Sequence, residues 1–112
     1  AALVAKHWND KTRAAMVATP SNPTGTLLPE QQLKGLCEQV EKNAGRLIVD
    51  EIYQGLVYDC GDYTALEVSD ECFVINSFSK SFGMTGWRVG WTVVPVHKAE
   101  PINNVVITIL SV

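Results

Sequence analysis

The chain has 112 residues, 46% of them hydrophobic and 19% charged, with a formal net charge of −3. That composition suits one globular domain with one core. The acidic balance and the lack of a basic run argue against nucleic acid or an anionic membrane surface as a partner. No uncharged apolar run reaches the roughly 18 to 20 residues of a membrane span.

The sequence begins at Ala1 with no signal-peptide layout, as expected of a fragment or a processed chain. Its cysteines, Cys37, Cys60 and Cys72, are odd in number, show no C-x-x-C spacing and lie among apolar neighbours. They are expected to be reduced, packed thiols in a cytoplasmic protein. Asn22-Pro23-Thr24 is not a glycosylation site, because proline occupies its middle position.

Taken in order, Ala14 to Ala18 is a short apolar run that ends at Thr19-Pro20, a strand leading into a loop. Ser21 to Gly25 is dense in turn formers. Pro29 suits the first position of a helix, and Glu30 suits its positive end. Leu33, Leu36, Cys37, Val40 and Ala44 then form one apolar stripe at helical spacing, with Gly45 as the expected stop.

Leu47-Ile48-Val49 reads as a buried strand ending at Asp50-Glu51. Phe73-Val74-Ile75 is another, ending at Asn76-Ser77, and Val89 to Val94 is a fourth, stopped by Pro95. The stretch from Tyr53 to Glu71 reads as loop with one short helical turn. Strands joined through helices predict an α/β fold, a mainly parallel, helix-covered sheet. A chain this short is expected to leave sheet edges and apolar faces uncovered.

The richest stretch is Ser77-Phe78-Ser79-Lys80-Ser81-Phe82-Gly83-Met84-Thr85-Gly86-Trp87-Arg88. It sets a lysine just past a strand, flanked by hydroxyls, with an arginine eight positions on. Such a lysine can hold an aldehyde as a Schiff base beside a phosphate. Asn22, Asp50 and the Ser77–Lys80 run each follow a different predicted strand. Ligands gather beyond the carboxyl ends of the strands in such sheets.

Plainer readings exist for each residue. Lys80 could be a solvated surface lysine, Asp50 a turn cap and Tyr53 a core aromatic with a satisfied hydroxyl. Asn22 could be a turn residue and Arg88 half of a surface ion pair. Leu47 to Glu51 also resembles a Walker B strand, but no G-x-x-x-x-G-K-[ST] loop accompanies it. Phe82, Trp87 and Trp91 read as core, and Gly83, Gly86 and Gly90 as turn or close-approach positions. His7 and His97 lack partners at metal-ligand spacing, so no metal is proposed.

Together, Ser21-Asn22-Pro23-Thr24-Gly25-Thr26, Asp50-Glu51-Ile52-Tyr53 and the lysine stretch resemble the motifs of class I/II aminotransferases. These are fold-type I enzymes dependent on pyridoxal 5'-phosphate (PLP). Asp50 lies 28 positions after Asn22, Tyr53 three after Asp50, and Lys80 30 after Asp50. Order and spacing both match the family pattern over most of the chain.

The resemblance implies that residues 1–112 are the middle of a PLP-binding large domain, with its N-terminal part and a small C-terminal domain outside the chain. Lys80 is then the Schiff-base lysine and proton carrier, which needs burial beside Arg88 to lower its proton affinity. Asp50 pairs with the pyridinium nitrogen, and Tyr53 and Asn22 hydrogen-bond the phenolic oxygen. Ser77, Ser79 and Arg88 hold the phosphate.

The implied reaction moves an amino group from an amino acid to a 2-oxo acid, in a homodimer, and the chain alone is expected to be inactive. A carbon–sulfur β-lyase or a PLP-binding regulatory domain would use the same residues. After Pro101 the resemblance implies a helix, whereas the β-branched run Val105-Val106-Ile107-Thr108-Ile109 favours a strand.

Overall fold

The computed structural model describes residues 1–58 and 61–102. Among these, four strands form one sheet: β1 (Ala14–Ala18), β2 (Arg46–Asp50), β3 (Phe73–Ser77) and β4 (Gly90–Val93). They lie side by side in chain order. β1 and β2 are parallel, as are β2 and β3, while β4 returns antiparallel to β3. The sheet is therefore mixed and mostly parallel. The segment between β3 and β4 contains only a 3₁₀ turn, Thr85–Trp87, in place of a crossover helix. A parallel partner would need such a crossover.

Two helices flank the strands, α1 (Ala2–His7) and α2 (Glu30–Lys42). Pro29 directly precedes α2, one position earlier than the sequence suggests. The predicted stripe is the helix's buried face: Leu33, Leu36, Cys37 and Val40 all pack into the core. They meet Leu47 and Val49 of β2 and Val74 of β3, with Ala15 and Val17 of β1 at the margin. Alternation along β2 turns Leu47 and Val49 towards α2 and leaves Ile48 and Asp50 on the other face.

The end of α2 differs from the expectation. The helix stops at Lys42, and Ala44 is exposed and takes the left-handed conformation, φ 51°. Gly45 still closes that end, its N–H donating to Val40 O (3.0 Å), and it also makes room, since a Cβ there would collide with the Trp8 ring. The glycine lets the indole pack against the margin of the core.

The expected aromatic core residues are also placed differently. Trp87 is 71% exposed, Phe82 60% and Trp91 38%. Phe78 bridges two of them, with ring centroids 5.2 Å from Phe82 and 4.9 Å from Trp91. Met16 and Ile75, on the sheet face away from α2, are exposed as well, as expected for a short chain. The loop after Tyr53 holds one 3₁₀ turn, Ala65–Glu67, as predicted. Residues 99–102 are helical, and the competing expectations for Val105 to Ile109 lie outside the described residues, as does Cys60. No described helix is long and apolar enough to cross a membrane.

Candidate active site

The carboxyl ends of the three parallel strands meet at one edge of the sheet. After β1, Thr19 is buried and links two segments: its N–H donates to Asp50 O (3.0 Å), and its hydroxyl accepts from Leu28 N–H (3.0 Å). The loop between them carries Asn22. It is closed by Ser21 N–H to Thr26 O (3.0 Å) and Gly25 N–H to Ser21 O (2.7 Å), with Gly25 at φ 67°. A left-handed residue in so tight a loop favours glycine.

At the end of β2, one Asp50 oxygen accepts the N–H of Ile52 (3.0 Å), so the carboxylate starts the turn that follows. Tyr53 sits in that turn, its hydroxyl 3.3 Å from Asn22 Nδ2, across a sequence gap of 31 residues. An open cleft of about 490 Å³ runs beside this pair, lined by Pro20, Asn22, Pro23, Leu27, Tyr53 and Leu56 among others.

Lys80 follows β3 and is exposed. Its Nζ stands 5.7 Å from the Tyr53 ring centroid, within cation–π range. The expected burial of this amine is not supplied by the described residues. The neighbouring Ser81 donates its hydroxyl to Gln54 O (2.8 Å), which ties the lysine loop to the tyrosine turn. Sequence reasoning did not single out Ser81; the hydroxyl-rich run around Lys80 was the available signal.

Ser77 and Ser79 form a second cluster. The Ser77 hydroxyl lies 2.9 Å from the Ser79 hydroxyl, accepts Ser79 N–H (3.0 Å) and reaches Val89 O (3.1 Å). Ser77 pairs with Gly90 across the antiparallel ladder. A Cβ on Gly90 would lie 2.6 Å from Asn76 O, so only glycine allows that approach. Gly83 takes φ 64°, whereas nothing lies within 4 Å of a Cβ on Gly86, and its backbone needs no glycine. Arg88 is left-handed, φ 55°, and exposed, with its guanidinium donating to Thr85 O (3.2 Å). Its guanidinium is thus engaged within its own loop rather than on the serine hydroxyls.

The structure thus groups Asn22, Tyr53 and Lys80, sets Asp50 at the end of the strand between their loops, and clusters Ser77 with Ser79. A carboxylate, an amine, an amide–phenol pair and two clustered hydroxyls match the polar groups of PLP: ring nitrogen, aldehyde, phenolic oxygen and phosphate. The donor set therefore fits that cofactor.

Comparison with known proteins agrees with this inventory. The family model for Aminotransferase class I and II matches residues 2–110. The chain is 46% identical over 85 residues to valine–pyruvate aminotransferase of Mycobacterium tuberculosis, covering 74% of this chain and 22% of that protein. The crystal structure of an aminotransferase from Mycobacterium tuberculosis is 44% identical, with a TM-score of 0.71, over 79% of this chain and 25% of that one. Aspartate aminotransferase from Thermus thermophilus is 33% identical, with a TM-score of 0.77, over 82% of this chain and 24% of its own. The chain spans about a quarter of the length of these relatives. With the family matched across nearly its whole length, the chain belongs to the class I and II aminotransferases, the fold-type I family whose cofactor is PLP.

Proposed function

We propose that residues 1–112 form part of the PLP-binding large domain of an aminotransferase that moves amino groups between amino acids and 2-oxo acids. The observation that carries this reading is the convergence of Asn22, Tyr53 and Lys80 beside the strand-ending Asp50. These groups come from the ends of three strands and from segments 58 residues apart.

When bound, PLP supplies an aldehyde that captures amines and a ring that takes up the electron pair released at a substrate's Cα. Lys80 would hold the cofactor through its aldehyde, and its amine would be the group placed to carry a proton at the substrate's Cα. Asp50 would face the ring nitrogen, where a carboxylate partner would help keep the ring electron-poor. Asn22 Nδ2 and the Tyr53 hydroxyl, 3.3 Å apart, would be the groups to hydrogen-bond the phenolic oxygen. Ser77 and Ser79 supply hydroxyls for the phosphate. Arg88, exposed and here bonded to Thr85 O, would offer its guanidinium to the same phosphate.

The working protein is a homodimer, and it is cytoplasmic. The support for that location is cysteine usage: Cys37, Cys60 and Cys72 are odd in number and show no C-x-x-C spacing. The test is product analysis with the intact protein, PLP and a panel of amino acids. Formation of the 2-oxo acid with amination of an added 2-oxo acid acceptor supports transamination. Pyruvate with ammonia from a β-substituted amino acid would indicate elimination instead.

A further inference from the structure

Glu51 has no part in the chemistry above, yet it is 1% exposed, among the most deeply buried side chains described. Burying a carboxylate costs free energy unless donors surround it. Here one oxygen accepts Ala65 N–H at 2.6 Å, and the Thr64 hydroxyl lies 2.9 Å from one carboxylate oxygen and 3.2 Å from the other. Burial pushes the carboxyl above its ordinary range despite these donors. A well-packed apolar side chain would fill such space at less cost.

What the carboxylate adds is a joint. Thr64 caps the 3₁₀ turn Ala65–Glu67 by a reciprocal arrangement: its hydroxyl accepts Leu66 N–H (3.3 Å), and its own N–H donates to Glu67 (3.2 Å). Glu51 locks that cap onto the end of β2. The backbone of Glu51 is held as well, its N–H donating to Ile75 O on β3 (2.8 Å) and its carbonyl accepting Gln54 N–H (2.8 Å). Asp50 precedes this fixed residue directly, and Tyr53 follows it by two positions. A second strap, the Ser81 hydroxyl on Gln54 O, joins the same turn to the Lys80 loop.

We infer that Glu51 is a positioning residue: through Thr64 and Ala65 it holds the turn 51–54 so that the Asp50 carboxylate and the Tyr53 hydroxyl meet the cofactor. This inference rests on the PLP reading above. It also accounts for adjacent carboxylates with different tasks, since Asp50 is partly exposed at the end of β2 and Glu51, just past it, is buried.

The test uses the intact protein and PLP, with three readouts. Equilibrium dialysis yields the PLP dissociation constant. A pH titration of the bound cofactor's visible absorbance yields a midpoint that reports the contacts from Asp50 and Tyr53. Thermal unfolding without cofactor yields Tm. Thr64→Val removes the hydroxyl's bonds to Glu51 and Leu66 N–H and leaves the Ala65 N–H bond in place, Thr64→Ser restores the hydroxyl, and Glu51→Ala removes both links to the turn.

Thr64→Val and Glu51→Ala are expected to weaken PLP binding about tenfold, the scale of one misaligned charge-assisted hydrogen bond, and to shift the absorbance midpoint. Thr64→Ser should keep both within about twofold of the parent, well inside that one-bond scale. A lower Tm with unchanged affinity and midpoint would overturn the inference and leave Glu51 a purely structural group. A parent protein that takes up no PLP would overturn the underlying reading and this inference with it, before any variant is made.

Discussion

The two sides of this molecule are finished to different degrees. Between α2 and the sheet, Leu33, Leu36, Cys37, Val40, Leu47, Val49, Cys72 and Val74 are closed from solvent. Around the Lys80 loop and β4, Phe82, Trp87, Trp91 and Val93 remain open, although their chemistry favours burial as strongly. The closed side carries the cost of folding, while the open side carries most of the groups assigned to chemistry. The difference teaches that the described residues close one core around α2 and leave the apolar and chemical groups of the other side exposed. The chain's span of about a quarter of its relatives' length is consistent with that.

The largest effect should come from the open side. Lys80→Ala in the intact protein is expected to lower transamination by about 10³-fold or more, with little change in Tm, because the exposed lysine holds no core contact. Steady-state rates and a thermal scan check both halves. A large fall in Tm would mean the open side is structural after all.

On the closed side, Leu33→Ala should cost about 3 kcal/mol in urea unfolding, since the side chain is fully buried and its removal leaves a cavity. A value below about 1 kcal/mol would mean that α2 is not seated as described.

The buried thiols sharpen the same contrast. Burial first, then the bond to Cys37 and its charge, pushes the Cys72 thiol from 9.0 up to about 12. The unfolded thiol therefore loses its proton before the folded one. Its contribution to stability is complete below pH 9 and disappears as the pH rises to about 12. Unfolding curves of the parent and Cys72→Ala should converge over that range, whereas parallel curves would contradict the account. Cys37 and Cys72 should likewise resist alkylation at pH 8 until denaturant is added, as mass mapping can show.

The smallest effect belongs to the exposed aromatics. Trp87→Ala should change the stability of the 112-residue chain by less than about 0.5 kcal/mol, the usual range for surface positions. A cost near that of Leu33→Ala would erase the distinction between the two sides.

What could be read from the sequence follows the same division. β1 and the buried face of α2 were legible because alternation and helical spacing are local patterns, and Ala14–Ala18 was read with its observed bounds. The direction of β4 was not, because it depends on whether the intervening loop crosses the sheet. Phe82, Trp87 and Trp91 were misjudged because hydrophobicity records a preference for burial without saying which surface provides it. Gly45 is legible as a helix stop, whereas its second role is not, since only the folded chain shows Trp8 lying against it.

The candidate residues were legible as a set: Asn22, Asp50, Tyr53 and Lys80 follow three strands, and Asn22, Tyr53 and Lys80 lie together in the structure. Glu51 and Ser81 were not legible as partners of that set. Their hydrogen bonds, to Thr64, Ala65 and Gln54, cross 13 to 27 positions of chain.

Borohydride reduction of the intact protein with PLP, followed by peptide mass mapping, tests the central claim most directly. The account predicts a phosphopyridoxyl group on Lys80 alone, lost in Asp50→Ala. Label spread over Lys6, Lys11, Lys34, Lys42 and Lys98, or absent from Lys80, would contradict it.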